Sequence, residues 1–273
     1  MGGLYGVIGD PITQSLSPLI HRGWMRDHDI DADYKAFRIA AGELREGLKA
    51  LEREGVRGLN VTMPHKMDVA AICESVSPLA SDLGAVNTLS RTQSGGWAGD
   101  NTDYQAFLDD FRAAGGGRLQ ACPILVLGAG GVAQAVARGL SEAGFLILIA
   151  NRTQSRAEAL AETLGLPAGS VHPLADVQTL AANADAVVNT LGAGHAGETL
   201  SLGDGDGRLF YDVSYGKAAR ANLDAAATRG WTVADGLPML VGQAALSFEI
   251  WHGVSPDKAV AETRCRQALE LAT

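Results

Sequence analysis

Ile124-Leu125-Val126-Leu127-Gly128-Ala129-Gly130-Gly131-Val132-Ala133 is the stretch that decides the fold. Four apolar residues of strand length run into a glycine-rich turn, and Val132 to Glu142 then carries helical spacing. With Ala133 in the last position, Gly128 to Ala133 fits the G-x-G-x-x-G/A fingerprint. In that motif glycine lets the chain turn tightly and lets its backbone approach a pyrophosphate at a helix N-terminus. A bare glycine match is often only a turn; the strand before it and the helix after it make this one specific.

The same beat continues towards the C-terminus: strand Phe145 to Ala150, a helix from about Gln154, then strands at Ala186 to Asn189, Leu209 to Val213 and Trp231 to Ala234. An alanine-rich helix, Ala218 to Thr228, separates the last two. Strands alternating with helices form βαβ units and a parallel, doubly wound sheet. After Asp235-Gly236 the beat stops. Two helical segments follow, Pro238 to Trp251 and Pro256 to Leu271, with no sheet of their own to cover. They are expected to return to the first domain, making it discontinuous: residues 1–103 and 237–273 around a Rossmann-like domain of 104–236, with a cleft between the lobes. Gly115-Gly116-Gly117 lies near that crossover.

At the end of the second strand of such a unit, roughly twenty residues past the glycines, an NAD enzyme offers a carboxylate to the ribose. Here the chain reads Asn151-Arg152-Thr153. A guanidinium with a hydroxyl beside it binds a 2′-phosphate, which favours NADP. The plainer account makes Arg152 an exposed helix-start residue and Thr153 an N-cap.

The first hundred residues also alternate. Strands are expected at Tyr5 to Ile8, Tyr34 to Ile39, Leu59 to Val61 and Asn87 to Leu89, helices at Pro18 to Arg26, Glu43 to Glu54 and His65 to Glu74, and a turn at Gly95-Gly96. Polar residues gather at the ends of these elements. Ser15-Leu16-Ser17-Pro18 reads as a Ser17 N-cap with proline at N1, which leaves Ser15 free for an anion. Lys66 and Asp103 each have an ordinary reading, as a solvated lysine and an N-cap; with Thr62, Asn87 and Thr88 they make a candidate site of the kind α/β folds build at element ends. His65 reads as an exposed helix-start histidine.

With 273 residues the chain has enough to bury two cores. Its net charge of −9 speaks against a broad attraction to nucleic acid or anionic membrane. The three cysteines, Cys73, Cys122 and Cys265, are odd in number and far apart, and read as buried thiols in a reducing compartment. No histidine pair has ligand spacing, so no metal is indicated. The N-terminal residues carry no signal-peptide or myristoylation pattern, and the apolar run Phe145 to Ala150 is too short to span a bilayer. A cytoplasmic protein, with a homodimer among its allowed assemblies, is the expectation.

Read together, these residues resemble the shikimate dehydrogenase family along nearly the whole chain. The likeness rests on Tyr5-Gly6-Val7-Ile8-Gly9-Asp10-Pro11, Ser15 to Pro18 with Ile20-His21, Asn60-Val61-Thr62-Met63-Pro64-His65-Lys66, Gly84-Ala85-Val86-Asn87-Thr88, Asn101-Thr102-Asp103, the glycine loop, Asn151-Arg152-Thr153, and Pro238-Met239-Leu240 through Gln243 to Phe248 and Trp251. The resemblance implies a small-molecule substrate, 3-dehydroshikimate or shikimate, and NADP. It implies that Lys66 and Asp103 are the catalytic pair, and that Ser15 and Ser17 hold the substrate carboxylate while Thr62, Asn87, Tyr215 and Gln243 contact its body. Gly128, Ala129, Gly130, Gly131, Val132, Asn151, Arg152, Thr153, Val213 and Gly236 would meet the cofactor. Two departures bear on substrate breadth and on the placement of Tyr215: Tyr104 and Ala106 stand where the family has small residues and glycine, and Gly216-Lys217 stands where a proline-containing turn is common. The alternatives are a quinate or amino-shikimate paralogue and a non-catalytic NADP-binding protein.

Overall fold

Strands and helices alternate from the start in the computed structural model, which describes residues 2–118, 123–191 and 199–271. First come β1 (Gly3–Gly9), α1 (Ser17–Asp27), β2 (Ala32–Arg38), α2 (Leu44–Arg53) and β3 (Val56–Val61), then β4 (Ser75–Val76), α3 (Pro78–Leu83), β5 (Thr88–Arg91) and β6 (Trp97–Asp100). They build one mixed sheet in the order β2-β1-β3-β5-β6-β4. β1 lies parallel to β2 and β3, while β5 runs antiparallel to both β3 and β6. Leu44, Leu48 and Leu51 recur at helical spacing along α2 and pack with Ile8, Val56, Leu59 and Trp97 into one core.

The helix expected over His65 to Glu74 does not form; turns lead to a single 3-10 turn, Val69–Ile72, and then to β4. A continuing helix needs each carbonyl for the N–H four residues on. The Lys66 carbonyl instead accepts from Val86 N–H at 2.8 Å, so a contact twenty residues away overrides local spacing. Lys66 therefore sits in a turn and not at a helix end. His65, expected on the surface, is buried, because its Nε2 reaches the Ile39 carbonyl at 2.7 Å.

The second sheet follows α4 (Asp103–Ala113) and uses β7 (Ile124–Leu127), α5 (Gly131–Glu142), β8 (Ile147–Asn151), α6 (Gln154–Thr163), β9 (Val171–Pro173), α7 (Val177–Ala181), β10 (Ala186–Asn189), β11 (Leu209–Asp212), α8 (Lys217–Thr228) and β12 (Thr232–Asp235). Its order, β12-β11-β10-β7-β8-β9 with every pair parallel, is the doubly wound arrangement. Ile124 and Val126 join one core, Leu125 and Leu127 the other, on the opposite face. A strand covered on both faces reads as an unbroken apolar run, which is why β7 is visible in the sequence.

Two helices close the chain, α9 (Leu237–His252) and α10 (Lys258–Leu271). The contacts divide the chain into two units, Met1–Asp103 with Val241–Ala272 and Tyr104–Leu240, so α9 from Val241 onward and the whole of α10 belong with the first sheet. Arg264 grips Asp27 with two hydrogen bonds of 2.7 and 3.0 Å, Trp24 Nε1 donates to the Asp257 carbonyl, and Trp251 Nε1 donates to the Leu89 carbonyl. Of the cysteines, Cys265 is buried, Cys73 is only partly so, and Cys122 lies outside the described residues. Among the described residues no helix is long and apolar enough to cross a membrane.

The returning helices enclose an aromatic cluster containing two histidines. His21 is fully buried, stacked on Tyr34 at 4.2 Å between centroids and near Trp251 and Phe248. Neither of its ring nitrogens has a hydrogen-bond partner in good geometry. Burial, then the neighbouring His252, hold its pKa down at about 3, and proximity to Asn60 offsets this only in part. An imidazole neutral in the folded state but titrating near 6.5 when unfolded binds fewer protons when folded, so its stability contribution is lost as pH falls from 6.5 towards 3. We expect this group to lower the unfolding free energy by about 2 kcal/mol between pH 7 and pH 5. Urea titrations of the wild type and His21→Phe should diverge over that range; parallel profiles would contradict the account.

Candidate active site

The polar residues of the first unit converge around the ends of β3, β5 and β6. Lys66 Nζ lies 2.6 Å from Asp103 Oδ2, with side-chain exposures of only 11% and 5%. Asp103 opens α4, where a carboxylate is favoured by the helix dipole. Its position is inherited from the preceding loop: Asp103 N–H donates to Asn101 Oδ1, Asn101 Nδ2 donates to the Ala85 carbonyl, and Asp100 accepts from Asn101 N–H and from Ser77. With the Lys66 carbonyl bonded to Val86 N–H, both charges hang from the segment around residue 86.

Asn87 is buried beside them. Thr102 N–H, which can only donate, lies 2.8 Å from Asn87 Oδ1, and the Thr88 hydroxyl donates to the same oxygen at 2.9 Å. This fixes the amide with Nδ2 on the side of Thr102 and Gln243; it donates to Thr102 Oγ1 at 2.9 Å and to Gln243 Oε1 at 3.5 Å. The structure thus brings together Lys66 with Asp103 and Asn87 with Gln243. Thr62 is half-buried, its N–H donating to the Ile8 carbonyl.

Ser17 is not an N-cap. It is already the first residue of α1, with Leu16 at the cap position and no side-chain capping bond there. Ser15 takes the capping part instead, its Oγ accepting from Ser17 N–H at 3.3 Å. Ser17 is buried near Tyr34, whose phenol is held well above its usual pKa chiefly by burial.

In the second unit the glycine loop has the required geometry. Gly128 has φ +113°, a left-handed conformation, and a Cβ there would stand 2.4 Å from Thr190 Oγ1. Gly130 occupies the N-cap of α5, and a Cβ built on it would meet nothing within 4 Å, so the helix N-terminus opens onto free space. Ala133 is fully buried against the sheet, as the last fingerprint position demands. At the end of β8, Asn151 Nδ2 donates to the Thr153 carbonyl, and Arg152 and Thr153 are exposed. Thr153 stands at the N-cap of α6 without a side-chain capping bond, and among the described residues Arg152 has no carboxylate partner.

Val213 and Gly236 are brought into contact, since a Cβ on Gly236 would lie 2.1 Å from the Val213 carbonyl oxygen. Tyr215 follows on the same segment, which turns at Gly216 with φ +59°, a value closed to proline. Sequence reasoning passed over the residue that shapes this turn. Asp212 is fully buried, accepts from Asn189 Nδ2 at 2.8 Å and from Ser214 N–H at 2.9 Å, and burial raises its pKa against those bonds. A lone acid ending an apolar strand was its only signal. Of the departures noted in the sequence, Ala106 is a core residue and Tyr104 hydrogen-bonds Glu142.

Three family descriptions match the chain in succession: shikimate dehydrogenase substrate binding domain over residues 7–89, shikimate/quinate 5-dehydrogenase over 112–197, and shikimate 5′-dehydrogenase C-terminal domain over 236–266. A shikimate dehydrogenase (NADP(+)) of Hyphomonas neptunium is 49% identical over 270 residues, 98% of each chain. The shikimate 5-dehydrogenase of Thermus thermophilus, solved with NADP(H) and shikimate, superposes with a TM-score of 0.81 at 34% identity, covering 97% of this chain and 99% of the other. Quinate dehydrogenase of Corynebacterium glutamicum, solved with NAD, gives 0.83 at 29% identity over 97% and 99%.

Gly128→Ala forces a side chain into a left-handed residue against Thr190, and we expect it to cost about 1–3 kcal/mol. The urea midpoint of the variant measures this; an unchanged midpoint would mean that the loop relaxes without strain.

Proposed function

The chain belongs to the shikimate dehydrogenase family, and on that premise we propose that it interconverts 3-dehydroshikimate and shikimate with NADP, on the route to chorismate and the aromatic amino acids. The observation that carries the reading is the Lys66–Asp103 pair, 2.6 Å apart and largely shielded from water, within the polar cluster of the first unit.

The residues of the glycine loop fit NADP: Gly128, its own N–H held by the Ala150 carbonyl at 2.9 Å, makes the turn, and Ala129, Gly130, Gly131 and Val132 bring backbone N–H groups and an open helix N-terminus to the pyrophosphate. Arg152 and Thr153, exposed and free of a neighbouring acid, suit the 2′-phosphate, with Asn151 holding their turn. Val213 and Gly236, in mutual backbone contact, complete the proposed cofactor residues. When bound, the nicotinamide supplies or takes the hydride.

Reduction of the ring ketone leaves a negative charge on its oxygen, and a proton must arrive there. The Lys66 ammonium donates it, while Asp103 orients the ammonium and accepts from a neighbouring ring hydroxyl. In the oxidative direction the same proton returns to the Lys66 amine. Asn87, whose Nδ2 lies 3.5 Å from Gln243 Oε1, meets the ring hydroxyls together with Gln243 and Thr62. Ser15 and Ser17 take the substrate carboxylate, an anion that a net charge of −9 would otherwise repel. Cytoplasmic residence accords with three widely spaced cysteines.

Initial rates of oxidation of shikimate and of quinate, each with NADP and with NAD, test the reading. Preference for shikimate with NADP is expected; preference for quinate or NAD would move the protein to the other branch of the family. Lys66→Ala should lower kcat by roughly 10²–10⁴-fold with little change in shikimate KM, because the lysine acts in the transition state. An effect confined to KM would make it a binding residue only. Arg152→Ala should weaken NADP by about one to two decades and leave NAD unaffected; equal losses for both cofactors would remove the 2′-phosphate from its role.

A further inference from the structure

Ser247 belongs to no part of the proposed site, yet it is fully buried at the centre of the polar cluster, on an otherwise apolar stretch of α9. Its hydroxyl has Asn60 Nδ2 at 2.8 Å, Thr88 Oγ1 at 2.8 Å, the Gln243 carbonyl at 3.0 Å and Thr102 Oγ1 at 3.3 Å. A hydroxyl has one proton and two lone pairs, so the directions can be worked out. Asn60 Nδ2 can only donate to Ser247, and Thr88 gives its proton to Asn87 Oδ1. The single Ser247 proton is therefore shared, as a bifurcated bond, between Thr88 Oγ1 and the Gln243 carbonyl, which can only accept. A one-way chain results, from Tyr34 O–H to Asn60, from Asn60 to Ser247, from Ser247 to Thr88 and from Thr88 to Asn87.

We propose that Ser247 is a positioning residue for substrate recognition, joining β3, β5 and α9 through one hydroxyl so that Asn87 and Gln243 are held ready for the ring hydroxyls. The inference rests on the substrate-binding reading of Asn87 and Gln243. Each end of its action is visible: Thr88 loads Asn87 Oδ1 and so keeps Nδ2 on the side of Gln243, while the Ser247 contact with the Gln243 carbonyl seats the turn of α9 that carries the Gln243 side chain. Without the hydroxyl, Asn60 Nδ2 loses a partner in a buried place, and Thr88 is free to turn its proton away from Asn87.

The test is the steady-state kinetics of Ser247→Ala, Thr88→Val and the double variant, well below their thermal midpoints, each as a ratio to the wild type on the ring acid it turns over fastest. That choice separates this inference from the identity of the substrate, which the wild-type rates alone decide. Each single variant should raise the ring-acid KM about tenfold, the equivalent of one good hydrogen bond, with kcat and the NADP KM within about twofold of wild type. Because both lie on one chain, the double variant should be no worse than about tenfold. A ring-acid KM that stays at the wild-type value while the thermal midpoint falls would overturn the proposal, as would a double variant near a hundredfold, the product of two independent effects. Should Ser247→Ala fail to fold, Thr88→Val alone still decides: its KM must rise with kcat preserved.

Discussion

An ammonium and a carboxylate 2.6 Å apart with little water around them constrain everything near them. Removing two charges from water is costly, and the attraction between them compensates only when the geometry is held and their remaining hydrogen-bonding capacity is met. The first unit meets this demand with backbone. Ala85 and Val86 fix Asn101 and Lys66 respectively, Asn101 fixes Asp103, and Asp100 and Ser77 brace the loop between. Glycine and small polar residues therefore crowd the ends of β5 and β6, where a strand built for burial alone would carry larger apolar ones. The placement of the pair follows from a loop architecture that tolerates few substitutions.

The second unit solves a different problem with the same economy of parts. A phosphate needs donors that do not move, and backbone N–H groups at a helix start meet that need without long side chains to immobilise. Gly128 makes the turn possible, and Thr190, whose hydroxyl bonds to the Leu127 carbonyl, fills the space its missing side chain leaves. Asp212 and Asn189 do comparable work at the ends of the neighbouring strands.

Where local pattern and burial agree, the sequence is easily read. β7 is apolar at every position because both faces are covered, and the Rossmann-like fold follows from it. The expected helix over His65 to Glu74 fails because Val86 and Ile39, distant in sequence, claim groups that a helix would have used or left exposed. β4 and β6 escape notice for being two and four residues long, with Gly99 and Asp100 among them. At the site, Lys66, Asp103 and Asn87 each have a plain alternative taken singly and stand out only as a group of polar residues at element ends; their separate roles, and Gln243 altogether, emerge through the family likeness. Ser247 and Asp212 escape even that: one serine in a greasy helix and one acid ending a strand acquire meaning only when their partners, up to 187 residues away, are in place.

The chain leaves the first unit after Asp103 and contributes to it again only from Val241. During synthesis the first six strands emerge from the ribosome well before the helices that cover Trp24, Tyr34 and His21. At about 5–20 residues per second, the interval lasts on the order of ten seconds. All of Tyr104–Leu240, by contrast, is contiguous and can collapse as soon as it is made. The order of assembly is thereby inverted with respect to the order of translation: the later-made unit closes first, and the earlier-made one waits half-finished, one face bare, for its last two helices. Until those helices arrive, the apolar side chains they will cover stay open to water, an exposure written into the connectivity alone.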